Sequence, residues 1–131
     1  MIAVDTSALV AIAFDEPERD RFLEIVLGSD RTLIATPTVL ETRLVTRGRR
    51  GERAVALVDD LLALPVFEQI APTPADVAAA YTAFVLYGKG SGHPAALNYG
   101  DLFSYALAKT RRVPLLFKGD DFTQTDIVPA A

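Results

Sequence analysis

The chain contains no cysteine. Neither a disulfide framework nor a thiolate metal site can form, which fits a reducing compartment. Histidine is nearly absent as well: His93 is the single one, in a loop between Gly92 and Pro94. A catalytic histidine needs an orienting partner, so His93 is read as structural. No uncharged apolar window reaches the length a membrane span needs. The apolar opening "MIAVDTSALVAIAF" carries Asp5 and lacks a basic leader, so a strand is read there and no signal peptide. A soluble, cytoplasmic protein is expected. Positive charge is also short. The net charge of −4 does not advertise a nucleic-acid binder. Internal repeats, low-complexity tracts and linkers are missing too.

What is present is a 131-residue chain, half of it hydrophobic, enough for one domain over 1–131 with a sizeable core. Ile2–Val4 reads as a buried strand. Residues 16–28 read as a helix with Phe22, Ile25 and Val26 inward, capped at Gly28. "TLIA" (32–35) reads as a second strand. Thr36-Pro37 then opens a helix carrying Val39, Leu40, Leu44 and Val45, with a break near Gly48. The next helix, about 51–63, has Ala54, Leu57, Val58, Leu61 and Leu62 on one stripe. "VFEQI" (66–70) alternates like a third strand. Pro74 opens a helix with Val77, Ala80, Tyr81 and Phe84 at helical spacing. Residues 87–97 read as a loop, and Asn98 as the cap of the helix that follows. "PLLF" (114–117) is a fourth strand and "IVPA" (127–130) a candidate fifth. Alternating strands and helices predict α/β layers: a mainly parallel sheet with helices on both faces.

In such sheets, sites form beyond the C-terminal ends of the strands. Asp5 follows the first strand. Glu41 lies in the second turn of the helix after the second. Asp120 and Asp121, in "LLFKGDDF", follow the fourth. Asp101 is in the first turn of the helix feeding that strand. This connection is read as setting it near the opposite edge. Each residue also has an ordinary reading. Asp5 caps a helix, Asp101 forms a capping pair with Asn98, Glu41 borders an apolar face, and the Gly-Asp-Asp run makes a turn. Together, however, several carboxylates at close range cannot all stay ionised without a cation. Oxygen donors suit Mg²⁺ or Mn²⁺, and the lack of Cys and His argues against zinc.

"IAVDTSAL", "TPTVLETRLV", "LNYGDLFSYALAK" and "LLFKGDDFTQTDI" together resemble the PIN-domain ribonucleases, and within them the VapC toxins of bacterial toxin–antitoxin pairs. The likeness covers nearly the whole chain, in order. It implies a three-layer α/β/α sandwich and metal-dependent cleavage of RNA by a toxin that a cognate antitoxin holds inactive. It also implies a homodimer. Asp5, Glu41 and Asp101 match the family's first three acidic positions. Many members separate the last two aspartates by one residue. Here they are adjacent, and Asp120, closer to the strand end, is favoured as the fourth, with Asp121 as alternate. Asp5, Asp101 and Asp120 would hold the ion. Glu41 would orient water or bind a second ion. Thr6 or Ser7 matches the hydroxyl beside the first Asp, on the substrate side.

"RLVTRGRRGER" (43–53) holds five Arg against one Glu. Its ordinary reading is a solvated helix junction. Its functional reading is a phosphate-contacting rim that includes Arg43 and Arg47. Lys118 is placed near the acidic pocket, paired with Asp120 or touching RNA. Tyr81, Phe84, Phe103 and Tyr105 read as core or dimer surface. Two rival folds lack their signatures. A phospho-acceptor receiver needs an acidic pair after the first strand, where Asp5-Thr6 stands. An aspartate-nucleophile phosphatase needs a second Asp where Ser7 is. A non-catalytic α/β binding module remains an alternative.

Overall fold

The alternation of side chains along each strand divides the interior into two cores. In the computed structural model, which describes residues 1–131, the elements run β1 (Ile2–Val4), α1 (Thr6–Ala13), α2 (Arg19–Gly28), β2 (Thr32–Ala35), α3 (Thr36–Arg50), α4 (Glu52–Leu62), β3 (Phe67–Ile70), α5 (Pro74–Tyr87), α6 (Tyr99–Arg111) and β4 (Leu115–Leu116). Ile2, Val4, Ile34 and Leu116 pack on one face against Leu9 of α1, Phe22 and Val26 of α2, and Val58 of α4. Ala3, Leu33, Ala35 and Leu115 pack on the other against Ala83 of α5 and Leu102, Tyr105 and Leu107 of α6. Each buried Val, Leu, Ile or Phe side chain among them contributes roughly 1.5–3 kcal/mol. The result is the expected α/β/α sandwich. No helix is long and apolar enough to cross a membrane.

All strand pairs are parallel, in the order β3-β2-β1-β4. The chain builds outward from β1 to β3, then crosses through α5 and α6 to place β4 on the other side of β1. The topological switch therefore lies between β1 and β4, where open parallel sheets form their ligand crevices. The C-terminal segment does not add a full fifth strand. Leu115 pairs with Pro129 in a single bridge, and Pro129 has no N–H to extend the ladder.

Several local expectations are corrected. The segment after the Ile2–Val4 strand, to which no element is assigned above, is helical. Six of the eight residues of α1 are buried. An element buried all round shows no apolar stripe, so its periodicity is hidden. In α3 the inward face is Thr38, Val39, Thr42 and Thr46, while Leu40 and Leu44 are exposed. Gly48 stays helical. The break falls at Gly51, whose φ of 78° suits a residue without Cβ. In α4, Leu57 lies outward. In α5, Val77, Tyr81 and Phe84 are exposed, and Ala83 and Asp76 face inward.

Candidate active site

Asp5 directly follows β1 and caps α1. Its Oδ2 accepts the Ser7 N–H at 3.1 Å and the Ser7 hydroxyl at 2.7 Å. Its Oδ1 accepts the hydroxyl of Ser104, from α6, at 2.6 Å. Ser7 Oγ in turn accepts the Lys118 N–H at 3.0 Å, joining the end of β4 to α1. Glu41 reaches the same cleft from α3. Its Oε1 accepts the Thr6 hydroxyl at 2.6 Å. Its carboxylate lies against Gly100, where a Cβ would fall 1.9 Å from Oε2. Burial raises the Glu41 pKa, the Thr6 hydrogen bond opposes the rise, and the charge of Asp5 adds to it.

Asp101 is the N3 residue of a capping box. Its Oδ2 accepts the Asn98 N–H and its own N–H donates to Asn98 Oδ1, both at 2.9 Å. Asp76, on α5, holds the same position in a second capping box, and both aspartates are buried. Their fates are opposite. At Asp76, burial is outweighed by the Thr110 hydroxyl at 2.6 Å, the Thr73 groups and the Arg111 guanidinium, so its pKa is lowered. At Asp101, burial dominates, only the Asn98 N–H opposes it, and Asp5, Asp121 and Glu41 add repulsion. Its pKa is pushed up to about 7. Capping alone therefore accounts for Asp76 and not for Asp101. The capping role and the cleft role coexist in Asp101.

The structure brings Asp5, Glu41, Asp101 and Asp121 to one cleft. Asp101 was expected near the opposite edge. Because α6 runs antiparallel to the strands, its N-terminus instead lies where the strands end. Asp120, the favoured fourth carboxylate, does not line this cleft. Its carbonyl accepts the Thr123 N–H at 3.2 Å and hydroxyl at 2.8 Å, opening a turn. Phe122, buried at 1% exposure, anchors the chain immediately after Asp121. Burial and the charges of Asp5 and Asp120 raise the Asp121 pKa.

The expected substrate contacts are rearranged. Thr6 and Ser7 spend their hydroxyls on Glu41 and Asp5. Arg43 pairs with Asp59 at 2.9 Å and Arg47 with Glu52 at 2.6 Å, so both are held against α4 and away from the cleft. Arg50 stacks over the Phe14 ring at 4.1 Å. Arg49 is the member of the cluster that lines the cleft. Lys118 also lines it, but its Nζ pairs with Glu16 at 3.1 Å and Glu18 at 3.0 Å, and not with Asp120. Ser104 was not anticipated. Its only early signal is a polar side chain three residues from Asp101, on the same helix face.

The cleft carboxylates do not close on a common point: no three stand at ion-ligating spacing. The donor set nevertheless fits a hard divalent cation. It is all oxygen, and three of its carboxylates are pushed toward the protonated form by burial and by neighbouring carboxylates, Asp5 among them in each case.

An α/β/α sandwich with an acidic cleft at the β1/β4 switch point is the architecture of a PIN domain, and the PIN-domain profile matches residues 2–128. The chain belongs to this family. Within it, the chain is 45% identical over 130 residues to VapC ribonuclease Mb0640 of Mycobacterium bovis, covering 99% of this chain and 98% of that protein. Ribonuclease VapC42 of Mycobacterium tuberculosis is 44% identical over 128 residues, covering 97% of each. Among solved structures, the sarcin–ricin-loop-cleaving toxin VapC20 of M. tuberculosis superposes with a TM-score of 0.79 at 17% identity, covering 98% of this chain and 97% of that one. VapBC2 of Rickettsia felis, bound to a promoter DNA fragment, superposes with a TM-score of 0.77 at 15% identity, covering 98% and 96%.

Proposed function

We propose that residues 1–131 act as one domain, a divalent-metal-dependent endoribonuclease toxin of the VapC type that works in the cytoplasm. The observation that carries this is the convergence of Asp5, Glu41, Asp101 and Asp121 in one cleft, with Asp101 pushed up to about 7. Asp5, Asp101 and Asp121 are the residues that would hold Mg²⁺ or Mn²⁺. An ion held there would supply Lewis-acid activation of water and neutralise charge developing on the phosphate. Glu41, held by the Thr6 hydroxyl, would orient the attacking water and take its proton. Arg49, which lines the cleft, seats a phosphate of the RNA. The test is cleavage of RNA by the purified chain. Product should appear with Mg²⁺ or Mn²⁺, disappear in EDTA and return when metal is restored. Cleavage that persists in EDTA refutes the reading.

Two substitutions probe the machinery, and a third serves as their control. Glu41 meets Gly100 with the far end of a flexible side chain, so Gly100→Ala displaces it cheaply without unfolding α6. The melting temperature should stay within a few degrees while the cleavage rate falls at least about tenfold, the effect of a misplaced reacting group. Arg49→Gln should weaken RNA binding whatever the sequence and lower the salt slope of log K by about 1. Arg43→Gln should leave that slope in place, because Arg43 already neutralises Asp59.

Two protein partners follow. An antitoxin that inserts an Arg among the cleft carboxylates would replace the cation electrostatically and exclude RNA. A second copy of the chain would cover Val77, Tyr81 and Val85 of α5 and Tyr99 of α6, an exposed apolar surface of the kind that marks interfaces.

A further inference from the structure

We propose that Ser104 is a positioning residue of the acidic centre: its hydroxyl selects the lone pair that Asp5 offers to a divalent cation. The inference rests on the metal-dependent reading above. An ionised carboxylate has about four lone-pair sites. On Asp5, the Ser7 N–H and Ser7 hydroxyl both go to Oδ2. That oxygen has no remaining site. Oδ1 accepts only the Ser104 hydroxyl, at 2.6 Å. One lone pair of Oδ1 is left, so Asp5 would offer a cation a single atom.

Ser104 also fixes the direction of that lone pair. It is 1% exposed, so water does not compete for its proton. A helical serine commonly returns its proton to a carbonyl one turn back. Here the proton goes instead to a carboxylate 99 residues away in sequence. That bond ties the first strand to α6. On α6, Gly100 admits the Glu41 carboxylate, Asp101 supplies its own, and Ser104 orients that of Asp5. Two successive turns of one helix thus align three of the four acidic groups. Without the Ser104 hydroxyl, the Asp5 carboxylate can rotate about the Ser7 bonds, and Oδ1 is free to swing away from the ion.

The test is Mn²⁺ affinity, measured on the full chain by calorimetry and by electron paramagnetic resonance of the free ion, with no RNA present. Ser104→Ala should bind Mn²⁺ about 10- to 100-fold more weakly, as for other groups that orient a metal ligand. Its melting temperature in EDTA should stay within a few degrees of wild type. In an Asp5→Asn background, Ser104→Ala should cause no further loss, because it acts through Asp5. Ser104→Cys keeps the packing and replaces a strong donor by a weak one. It should also bind more weakly, and it decides the matter if the alanine variant does not fold. Wild-type affinity in a folded Ser104 variant, or an equal further loss on Asp5→Asn, overturns the inference while leaving the metal-dependent reading standing. A wild-type chain that binds no Mn²⁺ overturns that reading, and this inference with it.

Discussion

Asp121→Asn should reduce metal-dependent RNA cleavage by roughly 10²- to 10³-fold, the scale of losing a few kcal/mol of transition-state stabilisation. Asp120→Asn, one residue away, should stay within a few-fold of wild type. The two aspartates have the same chemistry and differ only in what the loop does with them. The Asp120 carbonyl is committed to a turn through Thr123, and its side chain lies outside the cleft. Asp121 sits directly before the Phe122 anchor and faces Asp5 and Asp101 closely enough to raise the Asp101 pKa. Single-turnover cleavage at saturating Mg²⁺ measures both. Equal losses in the two variants would mean that the loop moves on metal binding and that either aspartate serves. A large loss in Asp120→Asn alone would reverse the assignment.

The fold and the first ring of carboxylates were legible because they depend on local signals. Asp5 and Glu41 stand at fixed short distances from the ends of strands that buried apolar runs reveal. What was not legible depended on packing. In "DTSALVAIA" the capping signal of Asp5 is followed by an apolar run with no stripe, so the extent of the buried helix is hidden. The inward threonines of α3 run against hydrophobicity; of them, Thr42 donates to the Thr38 carbonyl at 2.7 Å and lies 3.1 Å from the Thr6 hydroxyl of α1. Which of Asp120 and Asp121 lines the cleft depends on the loop that the buried Phe122 anchors. The arginine cluster was visible as composition. Which of its members is already neutralised depends on Asp59 and Glu52 of the neighbouring helix.

Asp101→Asn should make the metal-free protein more stable and the metal-loaded protein weaker. The Asp101 carboxyl has an ordinary value of 3.8 and is pushed up to about 7 in the folded chain. Between those values the folded state binds the proton and the unfolded state does not, so stability falls as pH rises from about 4 to about 7. Above that window the ionised carboxylate destabilises the fold by at most roughly 4 kcal/mol, at about 1.4 kcal/mol for each tenfold change in proton affinity. Asparagine removes the charge, and its side-chain oxygen can still accept the Asn98 N–H that Asp101 accepts at 2.9 Å. At pH 8 in EDTA, the variant should therefore melt several degrees above wild type, since a domain of this size gains roughly 3–6 °C for each kcal/mol. At pH 4.5 the gap should largely close, because wild-type Asp101 is then protonated in the fold. Mg²⁺ reverses the order. At a hundredfold excess over its dissociation constant it stabilises a folded site by about 2.7 kcal/mol. Wild type should gain that increment and the variant far less, having lost one charged ligand. Melting curves at the two pH values, with and without Mg²⁺, give all the comparisons. Equal Mg²⁺-induced shifts in both proteins, with no pH-dependent gap between them, would reduce Asp101 to the capping role that Asp76 plays on α5.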